Sequence, residues 1–266
     1  MIGHVINLDR APERWASMAR IAADRGLAIE RVPAADGRDP AMLAQAAAAE
    51  GNGLRPAEIG CFESHRRAWR RIVDGEAPAG LVLEDDVYLA AGIVEFLVAL
   101  AAEAKRFDLV KLSAHPRGML VRVEPVAEVA GRRLLTPGQG TSDSSAYVIT
   151  RDFAARALAL HDGYARALDL ALFDPATGAR IAQADPALSI QQRYADFRFL
   201  DAGAPKTDIQ PDRARSSRPR TRPLGALARE AARVWRRHVV PAMQPLLNLG
   251  RPPKERHVFR RIAFDG

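Results

Sequence analysis

An apolar run that ends in three consecutive acids, Leu81-Val82-Leu83-Glu84-Asp85-Asp86, carries the most chemistry in this sequence. Adjacent carboxylates repel one another unless a cation neutralises them. Residues 80–83 read as a buried strand, and in an open α/β sheet ligands bind beyond the carboxyl ends of the strands. A hard divalent ion takes carboxylate oxygens and keeps water and substrate phosphates as its other ligands. Glu84, Asp85 and Asp86 therefore read as a site for a metal and a diphosphate. Taken alone, the triplet reads equally well as a solvated strand end followed by a helix cap.

Other residues join it on the same logic. Asn7, Arg10 and Asp36 fall just past two earlier apolar segments, 5–8 and 29–32, where a nucleotide would sit in such a topology. Arg10 suits a phosphate, and Asp36 a hydrogen bond from a base or ribose. The competing readings are a cap at Asn7 and a turn at Asp36-Gly37. Lys111 ends a further apolar segment and suits a phosphate, or is a solvated strand end. Glu58, Cys61 and His65 share a helix face through spacings of three and four. A zinc site built from them lacks further soft ligands, which favours a satisfied, partly buried His65 and a Cys61 that simply packs.

The elements that must hold these residues alternate. A strand at 5–8 precedes a helix with Asp9 as its cap, Pro12 in its first turn and Trp15, Met18 and Ile21 as its stripe. A strand at 29–32 follows, and β-α-β order implies parallel pairing with right-handed crossovers. Residues 41–50 read as an alanine-rich helix. The next helix starts at Pro56, buries Ile59, Phe62, Trp69, Ile72 and Val73, and closes at Asp74-Gly75. After the acidic triplet come a helix over 91–104, a strand over 108–112, weak alternation over 119–136 that suits a hairpin, a loop over 138–142, a strand over 145–150 and a helix from Asp152. The expectation is an α/β domain with a mostly parallel sheet flanked by helices.

Composition bounds the rest. In 266 residues about half are apolar, enough for one sizeable core, and Cys61 is the single cysteine, which excludes a disulfide framework. The first residues lack the pattern of a secretory leader, and no run of 18 apolar residues occurs, so the expected location is cytoplasmic. The net charge of +7 is unevenly placed: residues 1–204 balance at −3 and residues 205–266 at +10. The expected organisation is a domain over 1–204, a basic Pro/Arg-rich linker over 205–223 and a basic amphipathic tail over 224–266. In that tail Leu227, Ala231, Val234 and Trp235 share a face opposite Arg229, Arg233, Arg236 and Arg237, with Pro241 and Pro245 expected to break the helix and the last residues expected to be irregular. Such a helix suits an anionic membrane surface, or packs on the domain; nothing supports nucleic acid.

Six segments in order resemble the family 25 glycosyltransferases of bacterial lipopolysaccharide biosynthesis, which include β-galactosyltransferase-like enzymes. They are Val5-Ile6-Asn7-Leu8-Asp9-Arg10 with Arg14, Ala34-Ala35-Asp36-Gly37, Glu58-Ile59-Gly60-Cys61-Phe62-Glu63-Ser64-His65, Leu81 to Val87, Asp108 to Leu112, and Ala146-Tyr147-Val148-Ile149-Thr150. The resemblance covers roughly residues 1–200 and implies a GT-A-like fold and inverting transfer of a hexose such as galactose from a UDP-sugar to a lipopolysaccharide or other glycan acceptor, with Mn2+ or Mg2+. It makes Glu84-Asp85-Asp86 the DxD-like element, with Asp86 as metal ligand, Glu84 supporting the metal or donor ribose, and Asp85, Asn7, Arg10, Asp36 and Lys111 on the donor side. It places Glu58, Ser64 and His65 near the acceptor or behind the site. The general base then comes from Asp169 or Asp143, with Asp169 preferred and an N-cap or surface role as its rival. The implied placement is peripheral on the inner membrane. The alternative is a non-catalytic relative that docks on membrane or nucleic acid through its basic tail.

Overall fold

The computed structural model describes residues 1–40, 42, 44, 54–160, 166–195 and 240–266. The expected helices over 41–50 and 224–239, and the linker over 205–223, lie essentially outside the described residues.

Strand β1 (Gly3–Asn7) leads into helix α1 (Pro12–Asp24), and β2 (Ile29–Pro33) returns parallel to β1. Asp9 does not cap α1: Ala11 stands at the N-cap and Pro12 supplies the preset first-turn φ. Helix α2 (Pro56–Asp74) opens with a capping box between Arg55 and Glu58 and packs over β3 (Ala79–Glu84), which lies parallel to β1 on its other side. Beyond the acidic triplet come β4 (Val87–Leu89), α3 (Ile93–Ala102), β5 (Leu109–Lys111), β6 (Ser113–Ala114) and β7 (Met119–Arg122). Strands β8 (Ala127–Val129) and β9 (Arg132–Leu135) form a hairpin, and β10 (Ala146–Thr150) runs into α4 (Arg151–Leu160). Helix α5 (Leu168–Leu172), β11 (Ile181–Asp185), β12 (Ser189–Gln191), α6 (Val240–Leu247) and β13 (His257–Arg260) complete the described elements.

Eight strands make the central sheet in the order β2-β1-β3-β10-β5-β11-β9-β8. The α/β expectation holds, but the sheet is mixed. It is parallel from β2 through β3, then β10 runs antiparallel to both β3 and β5, and β9 antiparallel to β11. Reversal at β10 brings its start beside the end of β3, with Ala146 opposite Leu83.

The pleat sorts the strand residues between two cores. Leu81 and Leu83 pack on one face with Met18 of α1 and Phe96 of α3, whereas Val82 packs on the other with Phe62 and Trp69 of α2 and Phe153 of α4. A sheet covered on both faces explains the unbroken apolar run before the acids.

Two expectations for the C-terminal part change. Val240–Leu247 is a helix despite Pro241 and Pro245, because Pro241 lies in the first turn, where no intrahelical N–H is needed, and Pro245 costs a short helix one bond. The last residues are not irregular. Strand β13 pairs antiparallel with β7, Ile262 is buried in a small cluster with Val121 and Leu135, and Phe264 bridges to Ala187. The predicted hairpin over 119–136 is accordingly only β8–β9, since β7 takes β13 as its partner.

Candidate active site

One end of the sheet collects the polar residues. Registers place Asn7 opposite Pro33, Ile6 opposite Glu84, Tyr147 opposite both Val82 and Lys111, and Lys111 opposite Gln183. A three-stranded sheet, β4-β12-β6, sits beside this end and sets Gln191 against Val87, just past Asp86.

Alternation at the end of β3 separates the three acids. Glu84 follows the parity of Val82 toward α2, and Asp85 that of Leu83 toward α1. Asp85 ion-pairs with Arg14 of α1 and accepts from Asn7 Nδ2 at 2.6 Å. Asn7 also donates to the Ala11 carbonyl and accepts from Arg31 Nε at 2.8 Å. Both residues are buried, so their polar atoms organise the turn after β1. Among the described residues neither Glu84 nor Asp86 ion-pairs with an arginine or lysine. Gln191 Nε2 donates to Glu84 at 3.1 Å and lies 3.5 Å from Asp86, whose backbone carbonyl accepts from Gln192. Burial, then repulsion from Asp143 and Asp85, raises Glu84 to about 7. Burial and the charge of Glu84 raise Asp86 to about 6. Burial also lifts Asp85 to about 6, against the pull of Arg14 and Asn7.

His65 is wholly buried. Its Nδ1 is 2.9 Å from Tyr147 Oη, which accepts from Trp69 Nε1 at 2.7 Å. Among the described residues its Nε2 has no hydrogen-bond partner, and it faces Glu84 at 3.6 Å. Burial lowers His65 to about 3, against the pull of Asp169, so the ring is neutral. Cys61 Sγ, a His65 ring nitrogen and a Glu84 oxygen all lie within 4.8 Å of one another, a cluster able to coordinate a divalent ion.

Lys111 extends from β5 on the same face. It is buried, donates to Ser113 Oγ and to the Asp143 carbonyl, and stands 3.6 Å from the Asp143 carboxylate. Burial lowers Lys111; in Asp143 burial is outweighed by Lys111 and Ser145, and the carboxyl sits below its usual range. Asp143 has φ of 77°, a left-handed conformation uncommon outside glycine. Three bonds hold it there: Lys111 on its carbonyl, the Ser145 N–H on its Oδ1, and Asp169 Oδ2 accepting its own N–H at 3.1 Å. A strained residue fixed from several directions is a frequent feature of functional sites. Asp169, in the first turn of α5, is half-buried and is not the N-cap, which is Ala167.

The structure thus brings Glu84, Asp86, His65, Lys111, Asp143 and Asp169 together. Others stand apart. Arg10 and Arg38 both ion-pair with the partly exposed Asp36. Burial tends to raise Asp36, but the two arginines hold it low. Glu58 is bonded to Arg55. Ser64 donates to the Gly60 carbonyl and accepts from the Ala35 N–H, tying the loop after β2 to α2. That loop lies so close that a Cβ on Gly37 would fall 2.2 Å from the Pro56 carbonyl oxygen, and one on Gly60 2.7 Å from the Gly37 nitrogen. Sequence reasoning gave no place in the site to Gln191, Tyr147, Arg14 or Trp69, the last read only as part of an apolar helix face. Gln191 carries no local signal; Tyr147 and Arg14 lay inside the quoted motifs.

Carboxylate oxygens gathered at strand ends, beside buried cations, are an arrangement that suits a phosphorylated ligand. Residues 1–169 match the model of glycosyltransferase family 25 (LPS biosynthesis protein), and the chain belongs to that family; it is a glycosyltransferase acting on a nucleotide-sugar. The lacto-N-neotetraose biosynthesis glycosyltransferase LgtB of Neisseria gonorrhoeae is 29% identical over 214 residues, covering 74% of this chain and 77% of the relative. LgtE of the same organism is 28% identical over 237 residues, covering 83% and 84%. Among solved structures, Staphylococcus aureus TarS 1–349 aligns with a TM-score of 0.44 at 15% identity over 72% of this chain and 60% of that one.

Proposed function

We propose that this chain is an inverting hexosyltransferase that moves a hexose, such as galactose, from a UDP-sugar to a hydroxyl of a lipopolysaccharide-type glycan. The observation that carries the reading is the pair Glu84 and Asp86, raised by burial and neighbouring carboxylates and forming no ion pair with an arginine or lysine among the described residues, while Asp85 beside them ion-pairs with Arg14. Raised carboxyls with hard oxygen donors fit Mn2+ or Mg2+, which would be held by Asp86 and Glu84. Bound there, the ion supplies charge stabilisation for the departing diphosphate.

The chain's own groups account for the remaining chemistry. Asp169 is the better base: it is half-buried, whereas Asp143 is enclosed and committed to Lys111. Asp169 takes the acceptor hydroxyl proton as the oxygen bonds to the anomeric carbon and the bond to the diphosphate breaks on the opposite face. Asp143 orients Asp169 through its N–H, and Lys111 fixes Asp143. Arg10 and Asp36, partly exposed beyond β1 and β2, suit the nucleotide. Relatives named for lacto-N-neotetraose biosynthesis support a glycan acceptor.

Transfer and hydrolysis assays with a panel of UDP-hexoses and manganese test the reading. Turnover that requires the metal is expected; no turnover with any UDP-hexose overturns it. The charge of +10 over residues 205–266 supports a cytoplasmic enzyme held peripherally on an anionic membrane. Replacing Arg229, Arg233, Arg236 and Arg237 by Gln should abolish flotation with phosphatidylglycerol vesicles at low salt; unchanged flotation discards the anchor.

A further inference from the structure

We infer that Cys61, His65 and Glu84 form a soft-metal site for Zn2+ that shares Glu84 with the donor site, so that zinc inhibits the enzyme. The inference rests on the proposed role of Glu84 for its inhibitory part only; zinc binding itself stands on geometry.

Ligand types are the first argument. A thiolate, an imidazole and a carboxylate are a donor set suited to zinc, and thiolate selects it over the oxygen-preferring Mn2+ and Mg2+. The sequence offered Glu58 as the third ligand, but Glu58 is bonded to Arg55. Folding replaces it with Glu84 from the end of β3.

Spacing is the second. Zinc bonds of about 2.1 Å to nitrogen and oxygen at a tetrahedral angle put those atoms about 3.4 Å apart. His65 Nε2 and Glu84 Oε1 stand 3.6 Å apart. Cys61 Sγ lies within 4.8 Å of a His65 ring nitrogen and of a Glu84 oxygen, one turn before His65 on the same helix face, so a small side-chain rotation closes the third bond.

His65 Nε2 is fully buried, has no hydrogen-bond partner among the described residues and faces Glu84. A buried polar nitrogen without a partner is rare, and here it is surrounded by potential co-ligands. Behind it the ring is held through Nδ1 by Tyr147 Oη, which is held in turn by Trp69. Histidines that bind metals are fixed through the far ring nitrogen in this way. Binding sets Nδ1–H to donate to Tyr147, frees the Nε2 lone pair, and releases the Cys61 thiol proton to solvent.

The experiment uses the full chain stripped of metal. Co2+ alone should bind and give an intense near-ultraviolet thiolate-to-cobalt band that Zn2+ removes. Cys61→Ala should lose the band and bind Zn2+ at least about 100-fold more weakly. In zinc-free buffer Cys61→Ala should keep manganese-supported turnover, while zinc inhibits the wild type competitively with manganese and the variant far less. His65→Gln, which also lacks the band while Cys61 remains, guards against a packing effect of Cys61→Ala. Bound cobalt without a thiolate band, or equal zinc inhibition of wild type and Cys61→Ala, overturns the site. If no UDP-sugar is turned over by any form, the proposed UDP-hexose reading fails, and the cobalt band still decides the metal site.

Discussion

The two ends of the central sheet treat carboxylates in opposite ways. Asp108, where β5 begins, accepts from the Arg180 backbone N–H at 2.8 Å and from its guanidinium at 2.8 and 3.1 Å. Burial would raise it, yet these bonds and the charge of Arg180 hold it below its usual value. At the other end Glu84 and Asp86 rise to about 7 and about 6, because burial and repulsion from neighbouring carboxylates outweigh the pull of Arg14 and Arg193, and among the described residues neither acid ion-pairs with an arginine or lysine. The same residue type closes the fold at one end and is held at an energetic cost at the other. Such unneutralised acids mark where the protein expects a partner from outside.

Substitutions can break or sharpen this contrast. Asp86→Ala should have the largest effect. Loss of a charge-stabilising ligand worth several kcal/mol predicts a fall in turnover of about 10³-fold. Thermal stability should be unchanged or higher, since a repelled carboxylate has gone. Turnover near wild type would remove Asp86 from the donor site.

Asp169→Asn should lower kcat by about 10²-fold or more, with donor affinity measured by calorimetry unchanged. If kcat falls only a few-fold, Asp143 becomes the base to test.

Asp85→Ala reverses the pattern, with stability as the main readout. It removes the Asp85 half of a buried ion pair with Arg14, at a cost of about 3 kcal/mol read from urea unfolding. A stability loss as small as that of Asp86→Ala would mean the two neighbours are not differently used.

The smallest effect is on pH dependence, and the signs differ between the ends. Asp108 has a lowered folded pKa, so its contribution is present above the unfolded value and is lost as pH falls through the folded one. Glu84 has a raised folded pKa, so in metal-free protein its contribution is lost as pH rises from about 4.5 toward about 7. Melting curves across pH should therefore show Asp108→Asn flattening the acid limb and Glu84→Gln flattening the slope toward neutrality. The same slope in Glu84→Gln as in wild type would show that Glu84 is not held against its charge.

Much of this was written locally. The apolar run before Glu84 forces a strand covered on both faces, Pro12 and Pro56 mark two helix starts, and the order of motifs carries the family and the acidic site. The mixed sheet was not legible, because strands either side of a crossover look alike until β10 is seen to reverse beside β3. Nor was β13, whose partner β7 lies far back in the chain.

By itself, then, the sequence determined that three acids end a buried strand and that Cys61 and His65 share a helix face. Only the tertiary structure decided which acid ion-pairs with an arginine, which does not among the described residues, and which joins the cysteine and histidine. The reason is distance along the chain. Asn7 reaches Asp85 across 78 positions and Gln191 reaches Glu84 across 107. The pleat fixes that neighbours face opposite ways, but only the packed helices and strands settle what waits on each side.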